Sequence, residues 1–223
     1  MIFKHVLKTN IGVNLAEEWI RLAKTYSSDP ELIDRLWMEI QKQYTEPRRA
    51  YHNLTHIEDM LQQCDKHQRF IQDFNTLRFA IWYHDIEYDV SRDDNEERSA
   101  SLAVERMQEL QMGTAEIRKC HQLILATKSH KVGSEEDPDF SWLLDIDLSV
   151  LGRELQQYKM YCQAIRQEYN IYPDELYNAG RKSVLQHFLK QNAIFKTPQY
   201  QDQFEQQARF NLKWELDQLS TAP

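Results

Sequence analysis

The sequence is poor in the residues that tight turns and glycine-rich loops require. It has 5 glycines and 6 prolines among 223 residues, so glycine makes up about 2%, against about 7% in average proteins. Sheets joined by short turns generally need more of both residues, and the composition therefore favours a mostly helical chain. The patterns GxGxxG and GxxxxGK[ST] are absent from the sequence, which excludes the Rossmann and P-loop nucleotide sites that depend on them.

Cysteine and long apolar runs are also scarce. The three cysteines are an odd number without a CxxC pair, which disfavours a disulfide framework or a cysteine zinc site and favours a reducing compartment. Lys4 and Lys8 interrupt the N-terminal apolar stretch, so it lacks the core of a signal peptide. No run approaches the ~18 apolar residues of a membrane span. We therefore expect a cytoplasmic protein that does not interact with a membrane.

The chain carries a formal net charge of −8, with 41% apolar residues. An acidic balance disfavours nucleic acid as a partner, because such partners usually require a basic face. The length suffices for a large core, and no repeat or change of composition marks a boundary. We expect one domain over residues 1–223.

Apolar residues recur with helical spacing along the whole chain and predict an all-α fold of roughly eight to ten helices. Asp29 followed by Pro30 predicts a helix start, and Asn53 predicts another. Gly113 is predicted to end a helix over about 95–112 in the C′ position, with Thr114 capping the next one. The remaining helices are expected at about 15–26, 30–46, 54–64, 77–84, 114–127, 140–151, 153–170, 174–192 and 199–219.

Histidines lie on or beside two of these apolar stripes. His52 and His56 are four residues apart and would share one helix face, but a cap at Asn53 would leave only His56 inside the helix. Either histidine alone could equally be an ordinary core or surface residue. His84 falls on an inward stripe with Leu77 and would be buried, a position that favours a paired or metal-bound group.

Three aspartates lie on or beside these apolar stripes. Asp85, beside His84, offers a hard oxygen ligand. Asp147 lies on the same stripe as Leu144 and Leu151, whereas Asp145 is turned away and suits a solvated or capping role. Asp147 is therefore the preferred ligand of the two.

Lys128 and His130 follow at a predicted helix end. They could face an anionic substrate there, or simply favour the negative end of the helix dipole.

Two histidines and two aspartates form a set that suits Mn²⁺, Fe²⁺, Mg²⁺, Co²⁺, Ni²⁺ or Zn²⁺ without selecting among them. Such an ion favours hydrolysis of a phosphate ester or anhydride.

The order His56, His84-Asp85, Asp147 resembles the HD superfamily of metal-dependent phosphohydrolases. The resemblance extends from about residue 15 to 219 and looks closest to the subfamily of predicted metal-dependent HD phosphohydrolases. It rests on the segments YHNLTH at 51–56, HDIEYD at 84–89, NEERSA at 95–100, ATKSH at 126–130, DIDLSVLG at 145–152, RQEY at 166–169, GRKSVL at 180–185 and ARFNL at 208–212.

The resemblance implies an all-α HD domain whose divalent metal is held by His56, His84, Asp85 and Asp147. A metal-bound water would attack the phosphorus of a small phosphorylated substrate, such as a nucleotide. Glu96 stands where many HD hydrolases place a carboxylate near that water, although the first turn of a helix suits a carboxylate anyway. The other predicted roles are catalysis by Lys128 and His130, and substrate binding by His52, Lys128 and His130.

Two other functions remain open from the sequence. A di-iron oxygenase would need two further ligands, for which His121 and His130 are the candidates. A non-catalytic module would bind metal or nucleotide without turnover. The sequence leaves open the substrate, the metal, the oligomeric state and the roles of Glu87, Arg166, Arg181 and Arg209; ion pairing is the preferred role for the three arginines.

Overall fold

A computed structural model describes residues 10–130 and 137–221 of the chain. Within these ranges every regular element is helical and no strand occurs, which confirms the predicted all-α class. The described residues form ten α-helices, counting the last three helical segments as one, in agreement with the expected eight to ten. None of the described helices combines the length and the apolar content needed to cross a membrane.

The helices follow one another with short connections. They are α1 (Asn10–Ala23), α2 (Pro30–Tyr44), α3 (Leu54–Lys66), α4 (Phe74–Tyr83), α5 (Asn95–Glu109), α6 (Thr114–Thr127), α7 (Pro138–Leu148), α8 (Leu155–Glu168), α9 (Asp174–Lys190) and α10. Helix α10 consists of the α turn Pro198–Tyr200, the π turn Gln201–Glu205 and the α segment Gln206–Thr221. Two 3₁₀ turns, Gln68–Phe70 and Ser149–Gly152, follow α3 and α7.

Two helix starts are confirmed at the level of single hydrogen bonds. Asp29 accepts hydrogen bonds from the backbone N–H groups of Glu31 at 2.9 Å and Leu32 at 3.2 Å, with Pro30 as the first helical residue. Asn53 accepts from the N–H of Thr55 at 2.9 Å. These side chains satisfy N–H groups that have no partner within the helix, which stabilises each start.

The prediction that Gly113 closes α5 is wrong. The helix ends at Glu109, and the left-handed residue beyond it is Gln111, with φ 59°. The N–H groups of Gln111 and Met112 donate back into the last turn at 2.9 and 3.0 Å, the pattern of a Schellman motif. Leu110 and Met112 are both buried, so side-chain packing and not glycine content decides where the chain turns.

Gly113 instead occupies the N-cap position of α6. Its φ of −66° is ordinary, and its N–H donates to Glu116 Oε2 at 2.8 Å. Thr114 is the first residue of the helix and not its cap. The glycine therefore serves a helix start, where it is also acceptable.

The chain divides into two compact units, residues 1–129 and residues 130–223, called here the first and the second unit. The single domain expected over residues 1–223 stays a prediction. The first unit contains α1 to α6 and the second contains α7 to α10.

The first unit has an aromatic core around Trp19 and Trp82, whose ring centroids lie 5.9 Å apart at a steep angle. Trp82 also meets the ring of Trp37 edge-on at 6.1 Å. Tyr44 donates its hydroxyl to the carbonyl of Trp82 at 3.1 Å. These contacts hold α1, α2 and the end of α4 together, and so give the segment after α4 a rigid base.

The second unit buries charge as well as apolar surface. Arg181 pairs with both carboxylate oxygens of Glu215 at 2.7 and 3.0 Å, and its guanidinium also donates to the hydroxyl of Tyr161 at 3.3 Å. Tyr158 donates its hydroxyl to Glu215. Both charged side chains are under 10% exposed, at 9% and 6%, so the pair is internal to the unit.

Candidate metal centre

Three of the four predicted ligands come together in the first unit. His56, His84 and Asp85 each offer a ligand atom, and these atoms all lie within 4.8 Å of one another. We call these three residues the triad. His56 comes from the first turn of α3, while His84 and Asp85 directly follow α4.

The local sequence explains how α3 presents its histidine. Because Asn53 caps α3, the helix begins at Leu54 and His56 is its third residue. The side chain is turned inward and is only 6% exposed. The expectation that His56 lies inside the helix is thus confirmed, and His52 precedes the cap.

His84 is the C-cap of α4 and is 1% exposed, which confirms the inward position predicted from the apolar stripe. Its Nδ1 lies 2.9 Å from the carbonyl oxygen of Ile81. A carbonyl oxygen can only accept a hydrogen bond, so Nδ1 carries the proton. Nε2 is then the ring atom directed at Asp85 in the triad.

Nε2 of His84 lies 3.0 Å from Oδ2 of Asp85. Two ligands at right angles around an ion with bonds of about 2.1 Å are about 3 Å apart. The backbone hydrogen bond of His84 also matches the way metal-binding histidines are usually oriented by an acceptor on the other ring nitrogen. The donor types and their spacing in the triad therefore fit a divalent metal ion.

His52 lies at the edge of the triad. Its Nε2 is 3.9 Å from Oδ2 of Asp85, too long for a direct hydrogen bond. Its ring lies against the ring of Tyr88, with centroids 4.2 Å apart. His52 is thus held beside the ligands by a tilted ring contact, and its role in substrate binding stays a prediction.

Sequence reasoning missed Arg49. Its side chain is 5% exposed, and its guanidinium donates to the carbonyl of Asp85 at 2.6 Å and to that of Ile86 at 2.7 Å. A longer bond of 3.3 Å reaches the carbonyl of His52. The sequence contains no signal for this, because all three acceptors are backbone atoms and two of them are distant along the chain.

Glu96 lies in the first turn of α5 and is partly buried. Burial raises its pKa above the ordinary value; a backbone hydrogen bond and the Lys128 charge oppose this, while the Asp85 charge adds to it. A carboxyl group with a raised pKa under the influence of a predicted ligand suits proton transfer. The catalytic role of Glu96 stays a prediction, and its raised pKa supports that prediction.

Lys128 is tied to the start of the same helix. Its ammonium group lies 2.5 Å from the carbonyl of Asp93 and 2.5 Å from Oε1 of Glu97. The hydrogen bond with Glu97 raises the pKa of the lysine, which stays charged. Binding an anionic substrate through Lys128 would therefore compete with an existing ion pair.

The charge of Glu87, unexplained by the sequence, has a partner on α5. Its Oε2 accepts from Arg98 at 2.6 Å. Its backbone N–H lies 3.1 Å from the hydroxyl of Ser99. Glu87 therefore joins the segment after Asp85 to α5.

The fourth predicted ligand, Asp147, belongs to the second unit. Its Oδ2 lies 3.1 Å from Nε2 of His130, and both side chains are mostly buried. His130 has a left-handed backbone, with φ 50°, and its ring meets Phe188 edge-on at 5.9 Å. The structure thus joins two residues that the sequence placed in one site, and their roles toward metal and substrate stay predictions.

The expectation of a solvated or capping Asp145 at the start of its own helix is wrong. Its side chain is 0% exposed, and it accepts from the N–H groups of Lys196 at 2.7 Å and Thr197 at 2.6 Å. Burial raises the pKa of Asp145 to about 6, while these hydrogen bonds oppose the rise. The helical spacing could not predict this role of Asp145 because its hydrogen-bond partners lie more than 50 residues away.

Neither His121 nor the C-terminal arginines belong to the triad, which is the group of possible metal ligands found among the described residues. His121 is partly exposed on α6. Arg166, Arg181 and Arg209 each pair with a carboxylate of the second unit, at 2.6, 2.7 and 2.7 Å. These contacts match the ion pairing preferred from the sequence for the three arginines.

No family model, curated protein or solved structure gives a significant match to the chain. The resemblance to HD phosphohydrolases therefore stays a prediction, and the triad itself carries the functional argument.

Proposed function

We propose that this protein is a metal-dependent phosphohydrolase acting on a phosphate ester or anhydride of a small molecule, such as a nucleotide. The observation that carries the proposal is the triad, in which the His84 ring is fixed by Ile81 with its Nε2 directed at Asp85. Buried histidines beside a carboxylate, oriented by a backbone acceptor, are typical of metal ligands.

The chain's own residues would divide the work as follows. His56, His84 and Asp85 would hold a divalent ion, and Asp147 is the proposed fourth ligand. Such an ion, when bound, lowers the pKa of water and polarises a phosphoryl oxygen. Glu96, with its raised pKa, would accept or return a proton.

Lys128 and His130 remain the proposed contacts for phosphate charge, and His52 is a third proposed substrate contact. We propose that the two nitrogens and one oxygen of the triad select no single metal, so Mn²⁺, Fe²⁺, Co²⁺, Ni²⁺, Mg²⁺ and Zn²⁺ all stay candidates. The proposal includes membership of the HD superfamily and a cytoplasmic location, the latter because the three cysteines are free thiols.

Removal of one ligand tests the proposal. Asp85→Ala should abolish Co²⁺ binding and reduce hydrolysis in a screen of phosphate esters and nucleotides to background, while circular dichroism shows unchanged helix content. The matched control is Asp93→Ala, which removes an exposed carboxylate of the same unit. Full activity in the Asp85 variant would refute the assignment.

The metal content of the purified wild-type protein separates the other functions. One ion per chain with hydrolysis supports the proposal. Two irons per chain with O₂ consumption would instead indicate an oxygenase, and bound metal without turnover across the whole screen would indicate a binding module.

A further inference from the structure

Arg49 differs from the other buried arginines that the structure describes in the groups that contact its charge. Its guanidinium is buried, yet in the described part of the chain its hydrogen bonds go only to backbone carbonyls and it forms no ion pair with a carboxylate. The rings of Tyr44 and Tyr88 lie 5.0 and 5.6 Å from its central carbon. Burying a charge in this way is costly, so a role beyond packing is expected.

The acceptors of Arg49 lie in the two segments that carry the triad. Asp85 and Ile86 lie at the start of the segment after α4, and His52 precedes the cap of α3. One planar group thereby fixes the backbone on both sides of the ligand atoms. Because the guanidinium fork has a fixed geometry, it sets the directions of the two segments as well as their separation.

The ring of Tyr88 adds a second connection. One contact of Tyr88 is the Arg49 guanidinium, and another is the ring of His52, 4.2 Å away. Arg49 is therefore connected to the triad segments by backbone hydrogen bonds and to His52 through the ring of Tyr88.

We propose that Arg49 is a positioning residue that holds the triad in its metal-binding geometry. The inference rests on the proposed metal site. It states that the fork of Arg49, and not its positive charge alone, determines how tightly the triad binds an ion.

The test is titration of the full chain with CoCl₂, following the visible absorption of Co²⁺, in wild type, Arg49→Lys and Arg48→Met. Arg49→Lys keeps the charge and removes the fork, so the Kd for Co²⁺ should rise about 10- to 100-fold, the usual effect of altering a residue that orients metal ligands. The Co²⁺ band should also shift. Arg48 is adjacent and 57% exposed, with Glu46 as its main partner, and its variant should stay within about twofold of wild type.

Each outcome decides the inference. A wild-type Kd and spectrum in folded Arg49→Lys would overturn it. Loss of the folded state in Arg49→Lys, seen by circular dichroism, would also overturn it by assigning Arg49 to folding of the first unit. Failure of wild type itself to bind Co²⁺ would refute the proposed function, which distinguishes the two failures.

Discussion

Two buried arginines show how differently the two units treat a positive charge. In the second unit, Arg181 meets Glu215 in a two-pronged ion pair, and the hydroxyls of Tyr158 and Tyr161 complete the cluster. In the first unit, Arg49 meets carbonyl groups and aromatic rings. Among the residues that the structure describes, the charge of Arg181 is paired with a carboxylate, whereas the charge of Arg49 meets carbonyl groups and ring faces.

The comparison separates stability from function. A buried ion pair whose members satisfy each other gives no reason to expect a ligand. A buried cation that braces a group of metal-type donors gives such a reason when, as for Arg49 among the described residues, no carboxylate pairs with it to offset the cost of burial. We therefore assign the Arg181 cluster to the stability of the second unit and the surroundings of Arg49 to the site.

The largest stability effect should come from breaking the Arg181 cluster. Glu215→Leu leaves a buried guanidinium without its partner and should lower the free energy of unfolding by about 3–5 kcal/mol, measured by urea denaturation. The double variant Arg181→Met/Glu215→Leu should recover much of the loss. Co²⁺ affinity of the folded single variant should not change, and a large change would break the comparison between the units.

The control for that prediction is Glu175→Leu, which alters an exposed carboxylate in the first turn of α9. It should change the free energy of unfolding by about 0.5 kcal/mol or less.

Two glycines of the second unit provide an intermediate effect. A Cβ on Gly152 would lie 2.4 Å from Cβ of Phe204, whereas one on Gly180 would meet nothing within 4 Å. Gly152→Ala should therefore destabilise by about 1–3 kcal/mol through overpacking. Gly180→Ala, inside α9, should stabilise by about 1 kcal/mol because alanine favours the helix. Thermal unfolding measures both, and equal effects of the two changes would contradict the packing described for Gly152.

The smallest expected effect tests backbone strain in the first unit. Gln111 is left-handed at the end of α5, so Gln111→Gly should raise the free energy of unfolding by about 1 kcal/mol. Gln108→Gly, an exposed change inside the same helix, should lower it by about 1 kcal/mol. Denaturant titration of both variants gives the two signs; destabilisation by Gln111→Gly would show that its side chain contributes more than the strain costs.

The sequence predicted those features that depend on neighbouring residues. Each of three features follows from residues within or next to a single helix, and the structure confirms all three. They are the cap at Asp29, the cap at Asn53 and the inward position of His84. The position of Gly113 was predicted by the same local reasoning and was wrong, because packing of Leu110 and Met112 decides where the chain turns.

Features that depend on distant backbone could not be predicted in the same way. Asp145 binds N–H groups more than 50 residues away, and Arg49 binds a carbonyl 36 residues away. Backbone acceptors and donors have no residue type, so no pattern of amino acids reveals them. Arg48 and Arg49 are adjacent and identical in type, yet one is mainly exposed and the other buried.

The bond from Arg49 to the carbonyl of Asp85 closes a ring of chain that contains α3 and α4. Closing a loop of this length costs conformational entropy, and the contacts across the ring offset this cost while the ring is closed. The donor atoms of the triad are therefore expected to separate in one cooperative opening of that ring and not by independent rotations of each side chain. Exchange of a bound ion would then follow the rate of this local opening, which links the lifetime of the ion to the dynamics of the first unit.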